Sequence, residues 1–225
     1  MIPTPDLSHL RAEDYEHVYE PAEDTFILLD ALEQDAEQLK SMTPRISLEI
    51  GSGSGCVSSF LGSIAGPSAV LYLCTDINPH ACKCTIATGR QNKVPLEPIN
   101  TSLAHPLLAR LHKSVDIILF NPPYVPTAYD EASGAQKDRD IEGSWAGGQD
   151  GMQVTDKFFS QVADLLSPHG RFYLVAVAQN NIPAIQRRME ENYALESKVR
   201  KISSTFLSLD TLHRSFFGDV LAANI

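Results

Sequence analysis

Short apolar runs alternate with longer amphipathic runs along nearly the whole chain, and this alternation constrains the fold more than any other feature. The runs at 46–50, 70–75, 115–120 and 171–177 have the length and composition of buried strands. Those at 22–39, 56–64, 79–92, 151–166 and 182–192 carry helical spacing. In the first of these helices Phe26, Leu29, Leu32 and Leu39 fall on or near one face, and Pro21 suits the opening turn. A weaker strand is expected at 96–101, a short helix at 104–111, and two closing strands near 198–203 and 216–222. Strands separated by helices build a mostly parallel sheet, here of seven strands, with helices on both faces. The polar stretch 127–150 reads as a long loop, and residues 1–21 as a loop-rich N-terminal lead-in to a single α/β domain over 22–225.

A chain of 225 residues suits one such domain. It has 18 Lys+Arg against 28 Asp+Glu, a net charge of −10, which argues against a protein held to nucleic acid by phosphate neutralisation. No apolar run approaches the ~18 residues of a membrane helix, and the first residues lack the basic start and apolar core of a signal peptide. The expected location is the cytoplasm, with the nucleus as a second compartment. Cys56, Cys74, Cys82 and Cys84 lack paired zinc-site spacing and read as free thiols, so no metal site is expected.

In an open parallel sheet the ligand lies beyond the carboxyl ends of the strands, and three chemically distinctive segments fall at such ends. The first is Gly51-Ser52-Gly53-Ser54-Gly55, a turn in which glycines allow positive φ and close backbone approach. It has no P-loop lysine and departs from the G-x-G-x-x-G spacing of dinucleotide sites. Glu49 just before it would, as an anion, repel a pyrophosphate, which leaves an adenosyl cofactor without phosphates. The second is Asp76, placed to accept both hydroxyls of a ribose, with Ile77 beside it to pack on adenine. The alternative for Asp76 is a cap on the helix beginning at Pro79. The third is Asn121-Pro122-Pro123-Tyr124. Two prolines stop pairing after a buried strand, so Asn121 presents a fixed amide oxygen and Pro122 a carbonyl with no strand partner. Together these are two acceptors for one planar NH₂ donor, with Tyr124 to pack on the group that carries it.

These segments, with Tyr19-Glu20-Pro21-Ala22-Glu23-Asp24-Thr25 and Trp145-Ala146-Gly147-Gly148, make the chain resemble a class I S-adenosylmethionine-dependent methyltransferase of the HemK-like type. Within that type it is similar to the eukaryotic enzymes that methylate a glutamine of the class I translation release factor. The resemblance runs from about Tyr19 to the C-terminus and implies a Rossmann-like domain. It implies cofactor contacts from Thr25, Glu49, Gly51, Gly53, Asp76, Ile77 and Asn121, with substrate held by Asn121, Pro122, Pro123 and Tyr124. Asn121, Pro122 and Tyr124 are the expected catalytic residues. Ser102 stands where the family often has an acidic residue, and its hydroxyl is a weaker acceptor for the adenine amino group. The triplet Gly147-Gly148-Gln149 matches the substrate motif of the family but reads as coincidence within a loop.

The implied reaction is methyl transfer from S-adenosylmethionine, leaving S-adenosylhomocysteine, to the side-chain amide nitrogen of a glutamine in a Gly-Gly-Gln motif. Adenine-N6 methylation of nucleic acid, protein-lysine (histone) methylation and a non-enzymatic assembly role are the rivals. The resemblance also implies a heterodimer with a small zinc-binding activator subunit, and the 96–101 strand is a candidate sheet edge for it.

Overall fold

The computed structural model describes residues 1–124, 150–200 and 209–214, with Arg200 and 209–214 described through their backbone. Seven strands form one sheet: β1 Ile46–Ile50, β2 Leu71–Asp76, β3 Leu96–Asn100, β4 Val115–Phe120, β5 Leu166–Val175, β6 Leu195–Arg200 and β7 Leu209–Arg214. Their order is β3-β2-β1-β4-β5-β7-β6. The first five in that order are parallel, and β7 runs antiparallel to both its neighbours. The α-helices among the described residues are α1 Ala12–Tyr15, α2 Glu23–Gln34, α3 Ala36–Ser41, α4 Cys56–Ala65, α5 Pro79–Gln91, α6 Gln153–Leu165 and α7 Ile182–Tyr193. This is the mostly parallel, doubly covered sheet expected from the alternation.

The central strands are apolar on both sides because both sides are covered. Along β4, Ile117 and Leu119 join a core with α2, α3 and α4, while Ile118 and Phe120 join a second core with α6 and α7. Asp116 is the polar exception. Its carboxylate accepts from the Arg45 and Ile46 amides and from Ser167 Oγ, which fastens the starts of β1 and β5. Pro98 lies within β3, which among the described residues has no outer partner, so a missing N–H is tolerated there.

Four local expectations change. The helix predicted at 22–39 is broken at Asp35, whose buried carboxylate accepts from Tyr173 Oη at 3.0 Å and Arg171 Nη1 at 3.3 Å on β5. Phe26, assigned to its apolar face, is 44% exposed, and the neighbouring Ile27 and Leu28 are buried instead. The helix at 104–111 shrinks to a single 3₁₀ turn at His105–Leu107. The closing strands described are Leu195–Arg200 and Leu209–Arg214, the latter pairing antiparallel with β5 and the former with the latter, and 216–222 lies outside the described residues. So does nearly all of the predicted 127–150 loop, with Trp145–Gly148 and Gly147–Gln149 inside it. Among the described residues no helix is long and apolar enough to cross a membrane.

Candidate active site

A cavity of about 450 Å³ opens at the carboxyl ends of β1, β2 and β4, where the strand order reverses. It is of the size that encloses a small-molecule ligand. Gly51, Gly53, Asp76 and Ile77 line it, as do Thr25, Glu49, Ser102, Asn121 and Pro123. Pro122 and Tyr124 are not among the described residues on its wall.

The glycine loop is shaped by three left-handed residues, with φ of 69° at Gly51, 51° at Gly53 and 78° at Gly55. A Cβ on Gly51 would meet nothing within 4 Å, and one on Gly53 would meet only Val18 Cγ1 at 3.8 Å. These two backbone positions therefore face open space. Gly55 differs: a Cβ there would lie 2.9 Å from Thr85 Cα, so its role is helix packing.

Asp76 spans the loop and the start of α5. Its Oδ2 accepts from the Gly53 amide at 2.9 Å and its Oδ1 from the Asn78 amide at 2.8 Å. Burial raises its pKa, opposed by these backbone bonds. The α5 cap is Asn78, whose Oδ1 accepts from the His80 amide. The capping alternative for Asp76 is thereby filled by another residue.

Glu49 is buried, and its Oε2 accepts from the Ser58 amide at 3.0 Å, in the first turn of α4. Burial pushes its pKa up to about 8, with Asp76 adding repulsion. Burial therefore favours its neutral form. The missing lysine and the loop spacing carry the exclusion of a pyrophosphate without any charge on Glu49.

Asn121 ends β4 beside Asp24. Asn121 Nδ2 donates to Asp24 Oδ2 at 3.0 Å, and Tyr124 Oη donates to the same oxygen at 2.9 Å. Asp24 Oδ1 accepts from the Thr25 amide at 2.7 Å and from Tyr19 Oη at 3.2 Å. A carboxylate only accepts, so the amide nitrogen of Asn121 must face it. Among the described residues Asn121 Oδ1 is then left buried with no hydrogen-bond partner. A buried acceptor without a donor is costly in a closed protein, so one at a cavity wall marks a place for a ligand donor.

Comparison with known proteins identifies the family. Residues 23–137 match the family model described as "Methyltransferase small domain". Over 189 residues the chain is 50% identical to "Methyltransferase HEMK2" of Mus musculus, covering 84% of this chain and 85% of that protein. Over 227 residues it is 40% identical to the "eRF1 methyltransferase catalytic subunit mtq2" of Schizosaccharomyces pombe, covering 95% and 96%. The chain belongs to the HemK-like methyltransferases.

Two solved structures share the fold of this methyltransferase. One is the T. thermophilus 16S rRNA N2 G1207 methyltransferase in complex with AdoMet and guanosine, with a TM-score of 0.64, 15% identity and coverage of 88% and 44%. The other is the ribosomal protein L11 methylase from Lactobacillus delbrueckii subsp. bulgaricus, with a TM-score of 0.60, 14% identity and coverage of 88% and 82%.

Sequence reasoning missed several wall residues of the methyltransferase. Val18 and Tyr19, from the N-terminal segment, line the cavity, as does Lys157 from α6. Asp24 carries the largest omission, since it holds Asn121, Tyr124 and Tyr19 together. Its signal was present in Glu23-Asp24-Thr25, where acidic residues suit the first turn of α2, but that reading needs no partner 97 residues away.

Proposed function

We propose that the chain transfers a methyl group from S-adenosylmethionine to the side-chain amide nitrogen of a glutamine in the class I release factor. The observation that carries this reading is the unpartnered Oδ1 of Asn121, held in place through its own NH₂ by Asp24. An acceptor so placed suits an incoming planar NH₂, which is what a glutamine amide offers. The names of the relatives from mouse and fission yeast support methyltransferase chemistry and, for the latter, a release-factor target.

The wall suits the cofactor. Gly51 and Gly53 leave room for close approach, Asp76 offers its carboxylate to ribose hydroxyls, and Ile77 offers an apolar face to adenine. Ser102 takes the adenine amino side, with Thr25 and Glu49 toward the amino-acid end. When bound, S-adenosylmethionine supplies a methyl group activated by a sulfonium. Asn121 Oδ1 accepts one amide hydrogen of the glutamine, and the Pro122 carbonyl accepts the other. Their pull aligns the nitrogen and strengthens as positive charge develops on it. Pro123 closes the substrate side, and Tyr124 acts through Asp24, donating to the oxygen that also holds Asn121. No resident base is required, because the proton becomes acidic once the nitrogen is alkylated.

The proposed partner is a small zinc-binding activator subunit that adds to the free edge of β3. A methylation assay with activator present, offering release factor, histone and DNA in parallel, tests the reading. Methyl incorporation into the release factor that is lost when its Gly-Gly-Gln glutamine is replaced supports it. Incorporation into histone or DNA alone overturns it.

A further inference from the structure

We propose that Asp14, His80 and Cys84 form a binding site for a thiophilic divalent cation, Zn²⁺ by ligand preference, that pins the N-terminal segment to α5. The ligand atoms of these three residues all lie within 4.8 Å of one another, and Asp14 Oδ1 is 3.0 Å from His80 Nε2. His80 and Cys84 are four residues apart on one face of α5, the spacing at which two side chains meet on a helix. Asp14 reaches them from α1. Zinc bonds of ~2.0–2.3 Å in a tetrahedron put ligand atoms roughly 3.3–3.8 Å apart, so small side-chain rotations close the set.

The ligands are already oriented. Asp14 Oδ2 accepts from the Arg11 amide at 2.9 Å, which turns Oδ1 toward His80. The His80 amide donates to Asn78 Oδ1, which fixes the first turn of α5 beneath the ring. A thiolate, an imidazole and one carboxylate favour Zn²⁺ over Mg²⁺ or Ca²⁺, which prefer all-oxygen sites. On binding, the Cys84 thiol proton passes to solvent, neutral His80 ligates through Nε2, and water takes the fourth position.

The site has a consequence for the cavity. Four residues beyond Asp14 is Val18, which is buried and lies nearest the Gly53 position on the wall. A cation at Asp14 therefore fastens the segment that closes the cofactor side.

Titration of the chelator-treated full chain with Co²⁺ tests the proposal, the absorption of any zinc-binding partner being titrated separately and subtracted. One equivalent should give a thiolate-to-cobalt charge-transfer absorption that Zn²⁺ bleaches. The band should vanish in Cys84→Ser and need at least tenfold more Co²⁺ in His80→Ala, while Cys82→Ser keeps it. Zn²⁺ should raise the melting temperature of the wild type and not that of Cys84→Ser. Absence of the band in the wild type, or its persistence in Cys84→Ser, would leave Asp14–His80 as a plain ion pair and overturn the site.

Discussion

Asp24 accepts five hydrogen bonds from three parts of the chain. Asp24→Ala strands the Asn121 amide and two tyrosine hydroxyls at a buried place, which should cost about 3 kcal/mol of stability. Turnover should fall as well, with cofactor affinity nearly kept; an unchanged kcat would detach Asp24 from the site. Asn121→Ala removes the orienting acceptor itself. Its turnover should drop by ~10²–10³, with calorimetric cofactor affinity near normal. Near-normal turnover would move the catalytic assignment away from Asn121. Glu49 gives a prediction in pH. Its pKa rises from 4.5 to about 8 in the folded chain. Between those values the folded state keeps a proton that the unfolded state has lost, so this contribution is full below pH 4.5, declines through the window and is gone above about 8. Glu49→Gln keeps an acceptor for the Ser58 amide and removes that slope. It should melt higher than wild type near pH 9 and about equally near pH 5, and parallel melting curves across pH would refute the assignment.

The glycine loop keeps its shape because α5 holds it. Thr85 Oγ1 donates to the Gly53 carbonyl at 3.2 Å and meets Ser52 Oγ at 2.9 Å, and Thr88 Oγ1 donates to the Ser54 carbonyl at 2.6 Å. Thr85 and Thr88 are three apart and share a helix face, so a single element clamps three successive loop residues. Two alanine substitutions should therefore separate. Gly51→Ala pays the left-handed penalty of roughly 1–2 kcal/mol and places a methyl in open cavity space. Its main loss should be in cofactor affinity. Gly55→Ala adds a backbone clash with Thr85, so denaturant melts should show a larger stability loss than for Gly51→Ala. Equal stability losses would mean that α5 yields easily.

For the molecule as a whole, the sheet closes at one side with the antiparallel β7–β6 pair and ends at the other on β3. An edge that is unpaired among the described residues invites strand addition. Beside it a shallow groove between α5 and β3 is lined by Ile86, Val94, Pro95 and Leu96, and Ile86 is 36% exposed. Co-expression with the activator should yield a 1:1 heterodimer, and the chain alone should be poorly soluble or inactive. Ile86→Asp should weaken that heterodimer in size-exclusion chromatography while leaving the circular dichroism unchanged. A soluble and fully active lone chain would remove the partner from the account.

What the sequence determined by itself was local in physical origin. Strand and helix order follows from hydrophobic period, and the glycine turn, Asp76 and Asn121 stand out because their chemistry is unusual for the ends of buried strands. The tertiary structure decided what depends on contacts between distant residues. Tyr173 and Arg171 draw Asp35 inward and break a helix that periodicity runs straight through. Pairing with β5 places β7 at Leu209–Arg214, a segment with weak alternation of its own. Asn78, and not Asp76, caps α5. The free oxygen of Asn121 exists because Asp24, 97 residues earlier, occupies the other half of its amide. Periodicity reports which face of an element is buried, whereas the partner of a buried polar atom is chosen only when the elements pack.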